Sequence, residues 1–109
     1  MIIDTLYVCV PGLARFLKPF DLGKYPNYPD IILHPMNLSI VAQKVHDRKY
    51  KSPASFLADV KWICHNSYVY FGTEFITMIA KEAFEKAEIL CTVSLNAQEK
   101  ILKLSKVLY

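Results

Sequence analysis

The stretch that decides the fold class is PFDLGKYPNYPDIILHPM, residues 19–36. It holds four of the six prolines of the chain, at Pro19, Pro26, Pro29 and Pro35. Proline has no backbone N–H and restricts the residue before it, so this density excludes a continuous helix. The stretch is also rich in phenylalanine, tyrosine, isoleucine and leucine. We therefore expect a long loop that is ordered and packed.

Helical spacing resumes after the loop. Residues 37–48 predict a short amphipathic helix with Asn37 or Ser39 as its cap. Its predicted inward positions are Ile40, Val41 and Val45. Residues 52–70 predict a longer helix, because Ser52 suits the cap and Pro53 the first helical position. One face of this helix carries Phe56, Val60, Ile63, Ser67 and Tyr70.

The remaining segments complete an all-α prediction. Gly72 and Thr73 end one helix, and residues 74–90 predict the next. One face of that helix carries Ile76, Ile79, Ala80, Ala83, Phe84 and Ala87. The tail, residues 96–109, is again amphipathic through Ile101, Leu104 and Leu108. Residues 2–10 are apolar and fit a helix or a strand. Since no stretch alternates like a strand, we expect a helical bundle with one long ordered loop between its first two helices.

Size and composition fit one small domain. The chain has 109 residues, of which 53% are hydrophobic and 21% charged, enough for a packed core. We expect a single domain over residues 1–109, with its core at about 11–90 and a helical extension over 91–109. The net charge of +3 is compatible with an acidic partner but does not identify one.

Catalysis, metal binding and membrane insertion are poorly supported. Cys9, Cys64 and Cys91 include no C-x-x-C pair, which indicates reduced thiols in a cytosolic or nuclear protein. The three histidines are scattered, and the glutamates near residues 82–88 alternate with lysines, as on a solvated helix face. The apolar N-terminus is too short to span a membrane and is a poor signal peptide. We expect no enzyme, no cofactor, no metal and no membrane partner.

Two surface features have alternative interpretations. Residues 44–51, KVHDRKYK, form a basic segment. Its cations are Lys44, Arg48, Lys49 and Lys51. They fit a solvated helix end, which we favour, or contacts to nucleic-acid phosphates. Aromatic residues stand in the loop and at the end of the helix over 52–70. They fit plain core, or a pocket wall if loop and helix end converge.

Three segments resemble a bromodomain in order and spacing. They are YPNYPDIILHPMNL (residues 25–38), KYKSPASFLADV (49–60) and HNSYVY (65–70), preceded by F-x-K-P at 16–19. The resemblance covers about residues 11–90. Within the family, residues 11–22 and 56–66 look most like the bromodomain between a PHD finger and a PWWP domain in MYND-finger chromatin readers.

The resemblance implies a left-handed four-helix bundle with an acetyl-lysine pocket. Two loops of the family fold enclose the pocket, and the hydroxyl at Tyr28 holds a water on the acetyl oxygen. The implied pocket residues are Phe16, Phe20, Tyr25, Tyr28, Ser67, Tyr70, Phe71 and Ile76. Acetylation neutralises lysine, so an aromatic slot accepts it. The implied partners are acetylated histone peptides and other chromatin proteins in the nucleus.

Phe71 departs from the family pattern, which has asparagine directly after Tyr70. The family's amide donates a hydrogen bond to the acetyl carbonyl, and phenylalanine has no donor. The loss corresponds to an affinity lower by about ten- to a hundredfold. Pro11 and Gly12 also interrupt the first helix, and Cys91 has no second cysteine after it. Three hypotheses remain: a weakened acetyl-lysine reader, an interaction scaffold of the same fold, and a weak nucleic-acid-binding helical domain.

Overall fold

The computed structural model describes the backbone of residues 2–108 and the side chains of residues 3–93. The elements are α1 (Ile2–Cys9), a 3-10 helix (Leu13–Phe16), α2 (Tyr28–Ile31), α3 (Leu38–His46), α4 (Pro53–Phe71) and α5 (Phe75–Leu108). No strand occurs over the described backbone, so the all-α prediction is confirmed. The helices α4 and α5 pack along each other, α1 packs on α5, and α3 packs on α4.

The sequence left residues 2–10 as a helix or a strand, and the structure has the helix α1 there. It ends at Cys9, before Pro11, and the chain then turns through Gly12 into the 3-10 helix. Gly12 has a left-handed φ of 83°. A Cβ at this position would lie 3.0 Å from Cδ1 of Ile79, so glycine allows both the turn and the close approach to α5.

The proline-rich loop is ordered and tied at several points. Its only helical part over residues 19–36 is the single turn α2, so the absence of a continuous helix is confirmed. The backbone N–H of Ser39 donates to the carbonyl of Leu17 over 3.0 Å, which joins the two ends of the loop. The Nδ2 group of Asn66 donates to the carbonyl of His34 over 2.8 Å, which fixes the loop to α4.

The helix α3 begins at one of its two predicted cap residues, but one of its predicted inward residues is exposed. The Oδ1 atom of Asn37 accepts from the N–H of Ile40 over 3.0 Å, so Asn37 is the cap. Val41 is buried as predicted, but Ile40 is 40% exposed. The buried face runs from Leu38 to Val41, three residues apart, and Ile40 lies beside it.

The start and end of α4 follow the sequence signals. Ser52 caps the helix in a reciprocal pair with Ser55, and Pro53 is the first helical residue. The helix stops at Phe71 because Gly72 takes a positive φ of 69°. Only residues 72–74 separate α4 from α5. The side chain of Phe71 is therefore placed where α4 ends against the loop.

Alanines let the long helix α5 approach its neighbours. Its buried positions include Ile79, Ala80, Ala83 and Ala87, as predicted. Ile3, Leu6 and Val10 join the same core, so buried residues also lie outside the range 11–90. The segments predicted over 74–90 and 96–109 form one continuous helix. The predicted inward positions Ile101, Leu104 and Leu108 lie outside the described side chains.

Candidate functional site

Six aromatic rings converge where the loop meets the end of α4. They belong to Phe16, Phe20, Tyr25, Tyr28, Tyr70 and Phe71. Phe20 is the hub, with ring-centroid distances of 6.1 Å to Phe16 and 5.2 Å to Tyr28. Six of the eight predicted pocket residues therefore meet in one cluster. We call these six the ring cluster.

Phe71 lies inside the ring cluster. Its ring is 5.5 Å from that of Phe20, 5.4 Å from that of Tyr25 and 4.9 Å from that of Tyr70. All three contacts are edge-to-face. Such contacts contribute about 0.5–1.5 kcal/mol each beyond the buried area. The ring of Phe71 thus fills space between the loop and the helix end, and it offers no hydrogen-bond donor there.

Tyr70 adds a polar contact to the ring packing. Its hydroxyl donates to Oδ1 of Asn27 over 2.5 Å, although the two residues are 43 positions apart. Its ring also lies 4.9 Å from that of Tyr28 and 5.7 Å from that of Tyr25. The last two residues of α4 therefore both contact the loop. Tyr70 does so through a hydrogen bond and ring contacts, and Phe71 does so through ring contacts alone.

Tyr28 is the most buried tyrosine of the ring cluster. Burial raises the pKa of its hydroxyl, and the nearby Tyr70 raises it further. The hydroxyl is therefore protonated at neutral pH and retains a proton to donate. This is the state that a hydroxyl needs in order to orient a water or a carbonyl oxygen.

Ser67 and Ile76 are the two predicted pocket residues that do not belong to the ring cluster. Ser67 is 1% exposed, and its hydroxyl shares a 2.9 Å hydrogen bond with that of Thr77. This bond joins α4 to α5 inside the bundle. Ile76 is half-buried and lines a cleft together with Phe20 and Tyr25.

Two cavities flank Phe20. A cleft of about 550 Å³ runs along the 3-10 helix and the start of the loop and reaches Tyr25 and Ile76. A smaller cavity of about 260 Å³ is lined by Phe16, Phe20 and Tyr28 on the side of α3. Ser67, Tyr70 and Phe71 line neither cavity. Four members of the ring cluster and Ile76 thus line one or both of these cavities, whereas the other predicted pocket residues do not.

The predicted phosphate contacts fall into two kinds. The Nζ atom of Lys44 lies 2.6 Å from Oδ2 of Asp59, which also accepts from the Tyr50 hydroxyl over 2.7 Å. Lys44 also lies over the ring of Tyr50. It therefore joins α3 to α4. The other three cations, Arg48, Lys49 and Lys51, are exposed just beyond α3. Tyr50 and Asp59 stand in the segment over 49–60 that carries the family resemblance. Their contacts with each other and with Lys44 were not predicted, since these contacts depend on how α3 and α4 pack.

The glutamate-rich face of α5 is solvated as expected. Glu82 and Lys86 form an ion pair of 3.3 Å at the helical spacing i, i+4. The side chains of residues 3–93 include no cluster that could ligate a metal ion. Among the described helices, none combines the length and apolar character needed to cross a bilayer.

The fold and the ring cluster define a helical binding module, and comparison with known proteins identifies its family. The bromodomain family model matches residues 9–83, so the chain belongs to the bromodomain family. It is 43% identical over 82 residues to transcription initiation factor TFIID subunit 1 of Caenorhabditis elegans, covering 74% of this chain and 5% of that protein. The subunit of the same name in Drosophila melanogaster is 30% identical over 101 residues, covering 91% of this chain and 5% of that protein.

A plant relative gives the same result. Transcription initiation factor TFIID subunit 1 of Arabidopsis thaliana is 36% identical over 69 residues, covering 63% of this chain and 4% of that protein. The chain thus spans about one twentieth of the length of these relatives. The bromodomain prediction is confirmed, and each of these relatives is named as a subunit of a transcription initiation factor.

Proposed function

We propose that this bromodomain recognises acetyl-lysine on histone tails with an affinity lowered by Phe71. The observation that carries this proposal is the place of the Phe71 ring, which packs against the rings of Phe20 and Tyr25 and has no hydrogen-bond donor. The family supports the ligand class, and the substitution supports the lowered affinity. The module acts by binding and carries out no reaction.

The aromatic surroundings suit a neutral ligand. An acetylated lysine has lost its charge, so an apolar slot no longer needs to desolvate an ammonium. The protonated hydroxyl of Tyr28 supplies a donor near the slot. The missing amide leaves the acetyl carbonyl with one donor fewer, which costs about 1–3 kcal/mol if that oxygen is buried.

The first test is the variant Phe71→Asn. We expect it to bind an acetylated histone peptide more tightly than the wild type by about 1–3 kcal/mol, because it supplies the missing donor and removes the ring. Phe71→Leu is the matched control, since leucine has nearly the size of asparagine but no amide. Calorimetric titration of the three proteins, with their melting temperatures, separates the gain of a donor from the loss of a ring.

A second candidate function is a protein-interaction scaffold that binds no acetyl-lysine. The packing of Phe71 favours it, because its ring takes up space against Phe20, Tyr25 and Tyr70 that a ligand would need. In that case Phe71→Asn destabilises the domain by several kcal/mol, as for a lost core ring, and binds nothing. Equal binding by all three proteins, at millimolar concentration or weaker, would also favour the scaffold.

A third candidate is weak nucleic-acid binding through the exposed Arg48, Lys49 and Lys51. Lys44 contributes less to such a surface than the sequence suggests, because it is paired with Asp59.

The wider setting of the module rests on the relatives. Their names support a role in transcription, and we place the protein in the nucleus with chromatin proteins as partners. The likeness to PHD-bromo-PWWP readers rests on residues 11–22 and 56–66 alone, and the relatives named above are of another kind. We retain a single domain over residues 1–109 as part of the proposal.

A further inference from the structure

The cleft beside the 3-10 helix shares Phe20, Tyr25 and Ile76 with the implied acetyl-lysine pocket, and it has a basic rim that the acetyl-lysine proposal does not use. It measures about 550 Å³, and it is formed by the 3-10 helix, the first part of the loop and Ile76 of α5. A space of this size fits a large side chain with its neighbouring backbone. Phe71 does not line it, so the cleft stays open whatever that ring excludes.

The floor of the cleft is apolar and aromatic. Phe20, Tyr25, Leu17 and Ile76 contribute to it, and each of the four is half-buried. The rings of Phe20 and Tyr25 are held edge-to-face at 5.9 Å by the ring cluster. The floor is therefore a preformed apolar surface that a leucine or aromatic side chain could cover.

The rim of the cleft is basic. Three exposed cations, Arg15, Lys18 and Lys24, line it, and Asp21 is the one carboxylate among its lining residues. The Oδ1 atom of Asp21 accepts from the N–H of Gly23 over 2.8 Å, so this carboxylate is engaged within its own turn. Within residues 3–93, no ion pair involves any of the three cations.

We propose that this cleft binds an acidic peptide segment with an apolar anchor residue. Three cations against one carboxylate leave the rim with a charge of +2. This field attracts carboxylates and repels a lysine-rich segment. The apolar floor distinguishes a peptide from duplex DNA, whose phosphates would use the rim and leave the floor uncovered. The partner is thus different from a basic histone tail, and its binding does not depend on acetylation.

The test uses a fluorescein-labelled peptide in which aspartates and glutamates flank a central Leu-Phe pair. We expect the wild type to bind it, with an affinity that falls as salt rises. In the double variant Lys18→Glu, Lys24→Glu, the affinity should fall by about fivefold per reversed charge. The control is Lys61→Glu, an exposed lysine of α4 outside the cleft, which should bind nearly as the wild type does.

Changes in the probe test the floor without altering the protein. A peptide with Gly-Ser in place of Leu-Phe should lose most of the binding, and one with lysines in place of the acids should not bind. An effect of Lys61→Glu that is as large, per reversed charge, as that of the double variant would overturn the proposal, since binding would then follow net charge. Failure of the acidic peptide to bind would overturn it as well, and so would single-stranded or duplex DNA that binds at the rim and is not displaced by the peptide. The labelled peptide contains no acetyl-lysine, so these outcomes are distinct from the outcome of the test with Phe71→Asn.

Discussion

At the scale of single residues, Tyr7 of α1 has an unusual environment. Its hydroxyl oxygen is buried and has no hydrogen-bond partner within the described part of the chain. Burial also raises the pKa of this hydroxyl. A buried polar group without a partner lowers the free energy of unfolding by about 1–3 kcal/mol, whereas an apolar group of the same shape carries no such penalty. We therefore expect the hydroxyl of Tyr7 to lower the stability of the fold.

We expect Tyr7→Phe to stabilise the domain by about 1 kcal/mol. A change of this size raises the melting temperature of a small domain by roughly 4–8 °C. The matched control is Tyr50→Phe, which removes a hydroxyl that donates to Asp59 over 2.7 Å and should lower stability. Thermal unfolding of both variants checks the pair. If Tyr7→Phe destabilises as much as Tyr50→Phe, the Tyr7 hydroxyl has a partner in solution.

At the scale of elements, one carboxylate joins α3, α4 and the segment between them. Asp59 of α4 accepts from Lys44 of α3 and from Tyr50 between the two helices. Burial raises the pKa of the Tyr50 hydroxyl, and its hydrogen bond to Asp59 and the charge of Asp59 raise it further. The folded state therefore keeps this proton at pH values at which an unfolded tyrosine loses it.

The sign of the resulting pH dependence follows from proton binding. Below about pH 10, the ordinary pKa of tyrosine, both states hold the proton and the contribution of Tyr50 to stability is complete. As the pH rises further, the unfolded state releases the proton, and stability falls by up to about 1.4 kcal/mol per pH unit. Urea unfolding from about pH 8 to about pH 11 should show the wild type losing its advantage over Tyr50→Phe. A constant difference between the two proteins would contradict this expectation.

The elements also show how far sequence reasoning reaches. Caps and stops act within a few residues, so Ser52, Pro53 and Gly72 predicted the bounds of α4, and Asn37 was one of two candidate caps for α3. The contacts of the site depend on distant parts of the chain. The bond from Tyr70 to Asn27 and the pair of Lys44 and Asp59 have no local signature. The resemblance to the family predicted which residues meet, but not that Phe71 would fill the space among them.

At the scale of the whole molecule, two groups of exposed cations stand out within residues 3–93. One lies on the rim of the cleft, and the other is the exposed group of Arg48, Lys49 and Lys51. Each phosphate contact contributes about 0.9 to the slope of log affinity against log salt, so three contacts give about 2.7. We expect at most weak duplex binding with this salt dependence, measured by fluorescence anisotropy over a salt series. Tight binding at physiological salt that is lost when these three residues are replaced by alanine would favour the nucleic-acid function instead.

The position of Phe71 gives the molecule a competitor of its own. A ligand that needs the space taken up by the Phe71 ring, against Phe20 and Tyr25, competes with a ring that is tethered to the site by the chain. The local concentration of a tethered group does not fall on dilution, and for short connections it is on the order of millimolar. The measured affinity then equals the intrinsic affinity multiplied by the fraction of molecules in which the ring has left. A modest cost of moving one side chain thereby shifts the whole binding curve to higher ligand concentration without changing its shape.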